Sequence, residues 1–280
     1  MRDVVALVTG GSRGIGRGIA LALLSEGATV HVTARTKTDA EAAVHPQLEG
    51  SLDGLVQETA SLPGRLVTHV CDHAMDAQTE AVVAQVLREE GRIDILVNNA
   101  WPGYERMEEG NEFTWIKPFW EQPMWRWEAM IGTSLRAAFV ASRATAGAMV
   151  ARRKGLIVNI SFWAAQRHHG NAIYGIAKAA ADKMASDFAH ELRPHGVAAI
   201  SLYPGLVRTE AVLRAAEYFD FTNSESPQFI GRVVAGLWQD AGLMEKSGAV
   251  HVAAALAQEY DIADIDGKRP VPATLASFGE

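Results

Sequence analysis

Residues 4–16 read Val4-Val5-Ala6-Leu7-Val8-Thr9-Gly10-Gly11-Ser12-Arg13-Gly14-Ile15-Gly16. The apolar opening predicts a strand buried on both faces. In the turn that follows, Gly10 allows a tight bend, Gly14 lets backbone approach a pyrophosphate, and Gly16 lets a helix pack closely on the strand. Ile15, Ile19 and Leu23 then recur at helical spacing, and Gly27 ends that helix. A helix that starts at such a turn offers free N–H groups and the positive end of its dipole to phosphate. A glycine-rich turn alone is a weak signal. Placed between a first strand and a helix, it predicts nucleotide binding, with Gly10, Ser12, Arg13, Gly14, Ile15 and Gly16 as cofactor contacts.

Outward from this stretch, short apolar runs alternate with helical patterns. Further strands are predicted at 28–33, 66–70, 93–97, 156–160 and 197–202. A helix-rich stretch at 37–62 stops at Pro63-Gly64, and helices follow at 77–90 and 172–192. Strands apolar throughout belong in a parallel sheet covered on both sides. The predicted fold class is α/β, a doubly wound Rossmann-type parallel sheet in three α/β/α layers. With no internal repeat, low-complexity stretch or linker in view, residues 1–280 read as a single dinucleotide-binding and catalytic domain.

Composition narrows the function classes. The chain has 280 residues, 48% of them hydrophobic, which excludes a disordered chain. Its 26 Lys+Arg against 33 Asp+Glu give a net charge of −7, a poor basis for non-specific nucleic-acid binding. One cysteine, Cys71, excludes an internal disulfide and a cysteine-built zinc cage. No apolar run reaches the roughly 18 residues of a membrane span, and the N-terminus does not read as a signal peptide. The expected setting is the cytoplasm, with no nucleic-acid or membrane partner and no metal.

The spacing Thr9-Gly10-x-x-x-Gly14-x-Gly16 resembles the fingerprint of the short-chain dehydrogenase/reductase family. At the end of the second strand an NAD enzyme usually carries a carboxylate for the ribose 2′-hydroxyl. Ala34 stands there and Arg35 follows. An arginine suits a 2′-phosphate through charge-assisted hydrogen bonds, and Arg13 adds a second charge. NADP(H) is therefore the favoured cofactor, with NAD(H) the alternative. The resemblance further implies an adenine contact at Asp72 with His73 as a further cofactor contact, cofactor-lining residues at Asn99 and Ala100, and strand-tying by Asn98. Trp101 replaces the glycine that the family places after Asn-Asn-Ala. Pro204, Gly205, Val207 and Thr209 match a segment that grips the nicotinamide carboxamide.

Tyr174-Gly175-Ile176-Ala177-Lys178 carries the chemistry. Positions i and i+4 share one helix face. A lysine ammonium there stabilises a phenolate and lowers a tyrosine pKa from its reference of about 10. Such a tyrosine exchanges a proton with a carbonyl or an alcohol near neutral pH. On the helix after the fifth strand, Tyr174 and Lys178 match the family's catalytic motif and its ribose contact. Ser161, thirteen residues before Tyr174, takes the role of the serine that holds the substrate oxygen. Counting from Trp127, Ser134 falls where relatives carry an asparagine that anchors a relay water.

Two regions stand out. Residues 101–127 hold five of the seven tryptophans, with Tyr104, Phe113 and Phe119, and read equally as a wall over an apolar substrate or as a packing segment. The tail, about 246–280, is atypical. With the Asn-Asn-Ala-aromatic junction and the aromatic insert, its Asp266-Gly267-Lys268-Arg269-Pro270 resembles the member-one branch of the family. The implied function is hydride transfer between NADP(H) and a carbonyl or secondary alcohol of an apolar substrate, by a homodimer or homotetramer paired through helices near 130–150 and 172–192. The competing reading is a non-catalytic dinucleotide sensor or interaction subunit.

Overall fold

Seven apolar runs pair into one parallel sheet. They are β1 (Val5–Thr9), β2 (Thr29–Ala34), β3 (Arg65–Val70), β4 (Ile95–Asn98), β5 (Gly155–Ile160), β6 (Val197–Tyr203) and β7 (Val250–Val252). Their order across the sheet is β7-β6-β5-β4-β1-β2-β3, every pair parallel. The order reverses between β1 and β4, so a crevice opens beyond their carboxyl ends. This computed structural model describes residues 1–43, 49–109 and 112–278. Residues 44–48 of the expected helical stretch, 110–111 of the insert and 279–280 of the tail lie outside the described residues.

The helices are α1 (Gly14–Ser25), α2 (Leu52–Thr59), α3 (Asp76–Glu90), α4 (Arg136–Arg152), α5 (Ala172–Leu192), α6 (Pro227–Gln239) and α7 (Ala253–Glu259). Alternation along β1 divides the core. Ala6 and Val8 face a cluster with Ile19, Leu23, Phe229, Val233 and Leu256. Val5 and Leu7 face the opposite cluster with Val83, Met149 and Leu192. Two apolar layers therefore clamp the sheet, as strands apolar on both faces require.

The stretch expected to be helical at 37–62 contains the helix Asp39–Ala43 and then α2. Ser51 starts α2 afresh, its hydroxyl accepting the Gly54 N–H at 2.9 Å. Helices α1 and α6 cross at backbone distance. A Cβ on Gly18 would lie 2.1 Å from the Pro227 carbonyl carbon, and one on Gly231 would lie 2.7 Å from Ile19 Cα. Ahead of α4, Met124–Trp127 is α-helical and Glu128–Leu135 winds as a π-helix. Such wide turns recur at functional sites. Among the described residues no helix is long and apolar enough to cross a membrane.

Candidate active site

The glycine turn stands at the carboxyl end of β1, in the crevice. Gly10 and Gly14 adopt φ of 70° and 55°, conformations that disfavour any side chain. A Cβ on Gly16 would meet Gly10 O at 2.3 Å and Asn99 Nδ2 at 2.4 Å. Asn99 holds the turn by donating to Thr9 O at 2.9 Å and Gly10 O at 2.8 Å. The Asn99 and Ala100 N–H groups both donate to Thr9 Oγ1. Asn98 ties β4 to its neighbours, donating to Asn159 Oδ1 at 2.8 Å and Ser142 Oγ at 3.0 Å. The side chain of Asn99 thus shapes the cradle from behind. Ser12 is buried in the turn, and Ile15 packs on the core.

Arg13 donates to Thr36 Oγ1 at 2.7 Å, and Arg35, just past β2, pairs with Glu105 of the insert. A glycine-walled turn at a helix N-terminus, flanked by two guanidinium groups, fits the phosphates of a dinucleotide. Asp72 follows β3, its carboxylate accepting the Ala74 N–H at 3.0 Å. His73 departs from expectation. It is buried, with Nε2 2.7 Å from Thr33 Oγ1 and Nδ1 2.9 Å from Thr79 Oγ1. Burial lowers its pKa to about 4. The ring is therefore neutral and braces Thr33, whose hydroxyl accepts the Gly10 N–H at 3.2 Å. Pro204, Gly205, Val207 and Thr209 lead away from β6. Gly205 N–H donates to Glu225 at 2.8 Å, and Thr209 caps the short helix Glu210–Arg214. That segment bends over the turn, where Glu210 accepts the Gly14 N–H at 2.9 Å.

Ser161, Tyr174 and Lys178 come together beside this crevice. Ser161 follows β5, and Tyr174 and Lys178 stand one turn apart near the start of α5. All three are buried. Ser161 Oγ donates to Lys178 O at 3.2 Å, and Lys178 Nζ donates to Ile160 O at 3.1 Å. The expected lowering of the Tyr174 pKa does not occur in this arrangement. Burial, and after it the neighbouring phenol of Tyr104, push the Tyr174 phenol well above its ordinary value. Lys178 is itself shifted down to about 7 by burial, against the pull of Asp182. Its Nζ lies 3.9 Å from the Trp101 ring centroid and 5.7 Å from that of Tyr174. The ammonium thus faces the indole that replaces the family glycine. Ser134 lies in the π-helix with its hydroxyl buried and without a protein partner among the described residues. It lines a cavity of about 30 Å³ with Thr9, Asn98 and Lys178, room for a water or two.

The insert is ordered around residues that the sequence did not single out. Arg126 is fully buried. It donates to Thr114 O at 3.0 Å, Thr114 Oγ1 at 2.8 Å and Arg106 O at 3.1 Å, and it bonds Gln122. Its guanidinium lies 4.8 Å from the Trp125 ring centroid. Asn171 caps α5 by accepting the Tyr174 N–H at 3.1 Å and donates to Trp115 O at 2.8 Å. Trp101, Tyr104 and Trp115 thereby surround Tyr174, at centroid distances of 5.5, 6.0 and 5.4 Å. Phe119 and Trp120 remain exposed. The insert thus divides between rings packed around Tyr174 and rings left on the surface. Asp182, a turn beyond Lys178, accepts a hydrogen bond from the Tyr203 hydroxyl. Its i+8 spacing from Tyr174 was the one available signal.

Comparison with known proteins agrees with this geometry. Residues 4–217 match the family model described as short chain dehydrogenase. The chain is 41% identical over 285 aligned positions to dehydrogenase/reductase SDR family member 1 of Mus musculus, covering 97% of this chain and 86% of that protein. Identity to the Homo sapiens protein of the same name is 38% over the same shares. The crystal structure of a metagenomic short-chain oxidoreductase in complex with NADP superposes with a TM-score of 0.68 at 29% identity, covering 89% of this chain and 96% of that one. The chain accordingly belongs to the short-chain dehydrogenase/reductase family, on the branch of SDR family member 1, and is an NAD(P)-dependent oxidoreductase.

Proposed function

We propose that the protein is an NADP(H)-dependent oxidoreductase that interconverts a carbonyl and a secondary alcohol on an apolar substrate. The carrying observation is the burial of Ser161, Tyr174 and Lys178 together beside a glycine cradle flanked by Arg13 and Arg35. Gly10, Gly14 and Gly16 admit the pyrophosphate, Arg13 and Arg35 take the 2′-phosphate, and Asp72 meets the adenine. Asn99 and Ala100 shape the middle of the crevice, while Pro204, Gly205, Val207 and Thr209 bound its nicotinamide end. The NADP-bound solved relative supports the choice of NADP(H).

When bound, the nicotinamide supplies or accepts the hydride. Ser161 Oγ orients the substrate oxygen toward Tyr174. The Tyr174 hydroxyl gives that oxygen a proton in reduction and takes it back in oxidation. Lys178 as ammonium stabilises the resulting phenolate. Ser134 and the small cavity beside Lys178 form a route for replacing the proton through water. The aromatic rings around Tyr174 favour an apolar substrate.

We further propose that residues 1–280 form one domain, that the setting is cytoplasmic, and that the protein is a homodimer or homotetramer paired through α4 and α5. Phe139 and Ile176, nearly half exposed on these helices, support such a contact. Light scattering at micromolar concentration tests it, and a monomer overturns it.

The experiment for the activity is NADPH oxidation against a panel of bulky ketones, aldehydes and quinones, with Tyr174→Phe beside the unaltered chain. Turnover should fall by about 10²–10⁴-fold in the variant, while nucleotide binding by calorimetry persists. Equal turnover in both removes Tyr174 from the reaction. Arg35→Ala should reduce the NADPH preference over NADH, and an unchanged affinity ratio overturns the 2′-phosphate assignment.

A further inference from the structure

Three groups needed for the proposed reaction are covered by one stretch of five residues. Trp101 lies against Lys178 Nζ and Tyr174. Tyr104 lies against the Tyr174 ring, their centroids 6.0 Å apart, and Glu105 pairs with Arg35. Between them Pro102-Gly103 makes a turn closed by Glu105 N–H donating to Pro102 O at 3.1 Å. A Cβ on Gly103 would lie 2.8 Å from the Trp101 indole, so the chain crosses the ring face at backbone distance. The three contacts are therefore mechanically one unit. In this arrangement Tyr174 is only 4% exposed, with the rings of Trp101 and Tyr104 packed over it.

We propose that residues 101–105 are a latch over the reacting groups, and that Glu105 makes its release depend on the 2′-phosphate of the cofactor. The proposal rests on the NADP(H) reading above. The Arg35 guanidinium is about half exposed, and Glu105 supplies its anion. A phosphate monoester brings more negative charge and more acceptor oxygens than one carboxylate, and it suits the planar donor fork of arginine. Phosphate and Glu105 compete for Arg35, and their like charges repel. A 2′-phosphate on Arg35 thus favours the displaced latch, uncovering Tyr174 and Lys178. A nucleotide without that phosphate leaves the Glu105–Arg35 pair intact. Only a ligand that discriminates between two states shifts their balance, and here the 2′-phosphate discriminates. Trp101 buries its indole N–H without a protein partner among the described residues, so the closed position forgoes one bond that an open one can make.

The test uses the full chain and two probes, adenosine 2′,5′-bisphosphate and adenosine 5′-monophosphate. Calorimetry records binding, and acrylamide quenching of tryptophan fluorescence records exposure. Trp101→Phe identifies the Trp101 contribution. The bisphosphate should raise the quenching of Trp101 severalfold, while the monophosphate leaves it unchanged. In Glu105→Gln, Trp101 should be exposed without nucleotide and the bisphosphate should bind several-fold more tightly. Arg35→Ala, which breaks the pair from the other side, should expose Trp101 to the same extent. The latch is overturned if the bisphosphate binds and Trp101 stays protected, or if both variants protect Trp101 as the unaltered chain does. Absence of bisphosphate binding overturns the NADP(H) reading and the latch with it.

Discussion

Arg208 donates to Asp264 at 3.1 Å, and the Asp264 side chain is wholly enclosed. The same carboxylate accepts from Ser226 N at 2.7 Å and Ile265 N at 2.6 Å. Arg208 also donates to Ser224 O at 2.8 Å. The tail is thereby fastened to the segment that follows Pro204-Gly205. Asp264→Ala leaves a guanidinium and two N–H groups without their acceptor. It should cost about 3–5 kcal/mol in urea unfolding, and Asp264→Asn should cost less. A loss below about 1 kcal/mol would mean that the tail is fastened elsewhere.

Asn171 does two things that substitutions can separate. Asn171→Asp keeps the acceptor that caps α5 but loses the donor to Trp115 O. Asn171→Ala loses both. The alanine variant should lose about 1–3 kcal/mol, through the cap and an unmet buried carbonyl. The aspartate variant should retain α5 yet loosen the insert. Hydrogen exchange over the first turns of α5 distinguishes them while residues 104–127 loosen in both, and equal protection of α5 in the two variants would refute the division.

Arg126 should be the keystone of the insert. Arg126→Met keeps much of the stem volume but strands Thr114 O and Arg106 O. Limited proteolysis should then cut within 104–127 at least about tenfold faster, since local opening easier by about 1.4 kcal/mol is a tenfold change in population. An unchanged cleavage rate would show that aromatic packing alone holds the segment.

Glu225 links pH to stability. Burial raises its pKa to about 7, from an ordinary 4.5. Between these values the folded chain keeps a proton that the unfolded chain releases. Stability should therefore fall as pH rises from 4.5 to 7, with a slope approaching about 1.4 kcal/mol per pH unit from this group. Glu225→Gln remains neutral and keeps an acceptor for Gly205 N–H, so the slope over that window should flatten. Urea midpoints across the window provide the measurement, and parallel curves for the two proteins would dismiss Glu225 as the source.

The fold was legible where burial is continuous. Leu156-Ile157-Val158 and Val197-Ala198-Ala199-Ile200 signal central strands because both their faces are apolar, and α5 occupies the expected 172–192. The glycine turn was equally plain, since its spacing reflects close backbone approach. The partnerships in the insert were not. Glu105 and Arg35 are 70 positions apart, and Asn171 and Trp115 are 56 apart, so no periodicity relates them. Arg126 sits in one turn of helix, and in sequence it resembles any solvated arginine. His73 looked like a cofactor contact because its neighbour Asp72 follows the strand, but burial turns its ring inward. The lowered Tyr174 pKa follows from helix spacing only if nothing intervenes, and Trp101 and Tyr104 do.

The backbone contact of Gly18 with Pro227 reaches beyond stability. The helix that opens at the glycine cradle is seated on a helix from residues 227–239, outside the 4–217 that the family model matches. The boundary of resemblance is thus not a boundary of self-sufficiency. A fragment ending at 217 would carry every cofactor and catalytic motif residue named above and still expose the apolar stripe of Ile19 and Leu23. Such a fragment should be inert until its missing piece is supplied, and the two pieces together would make a complementation pair whose reassociation reports on the α1–α6 seam together with the β6–β7 pairing and the Arg208–Asp264 bond.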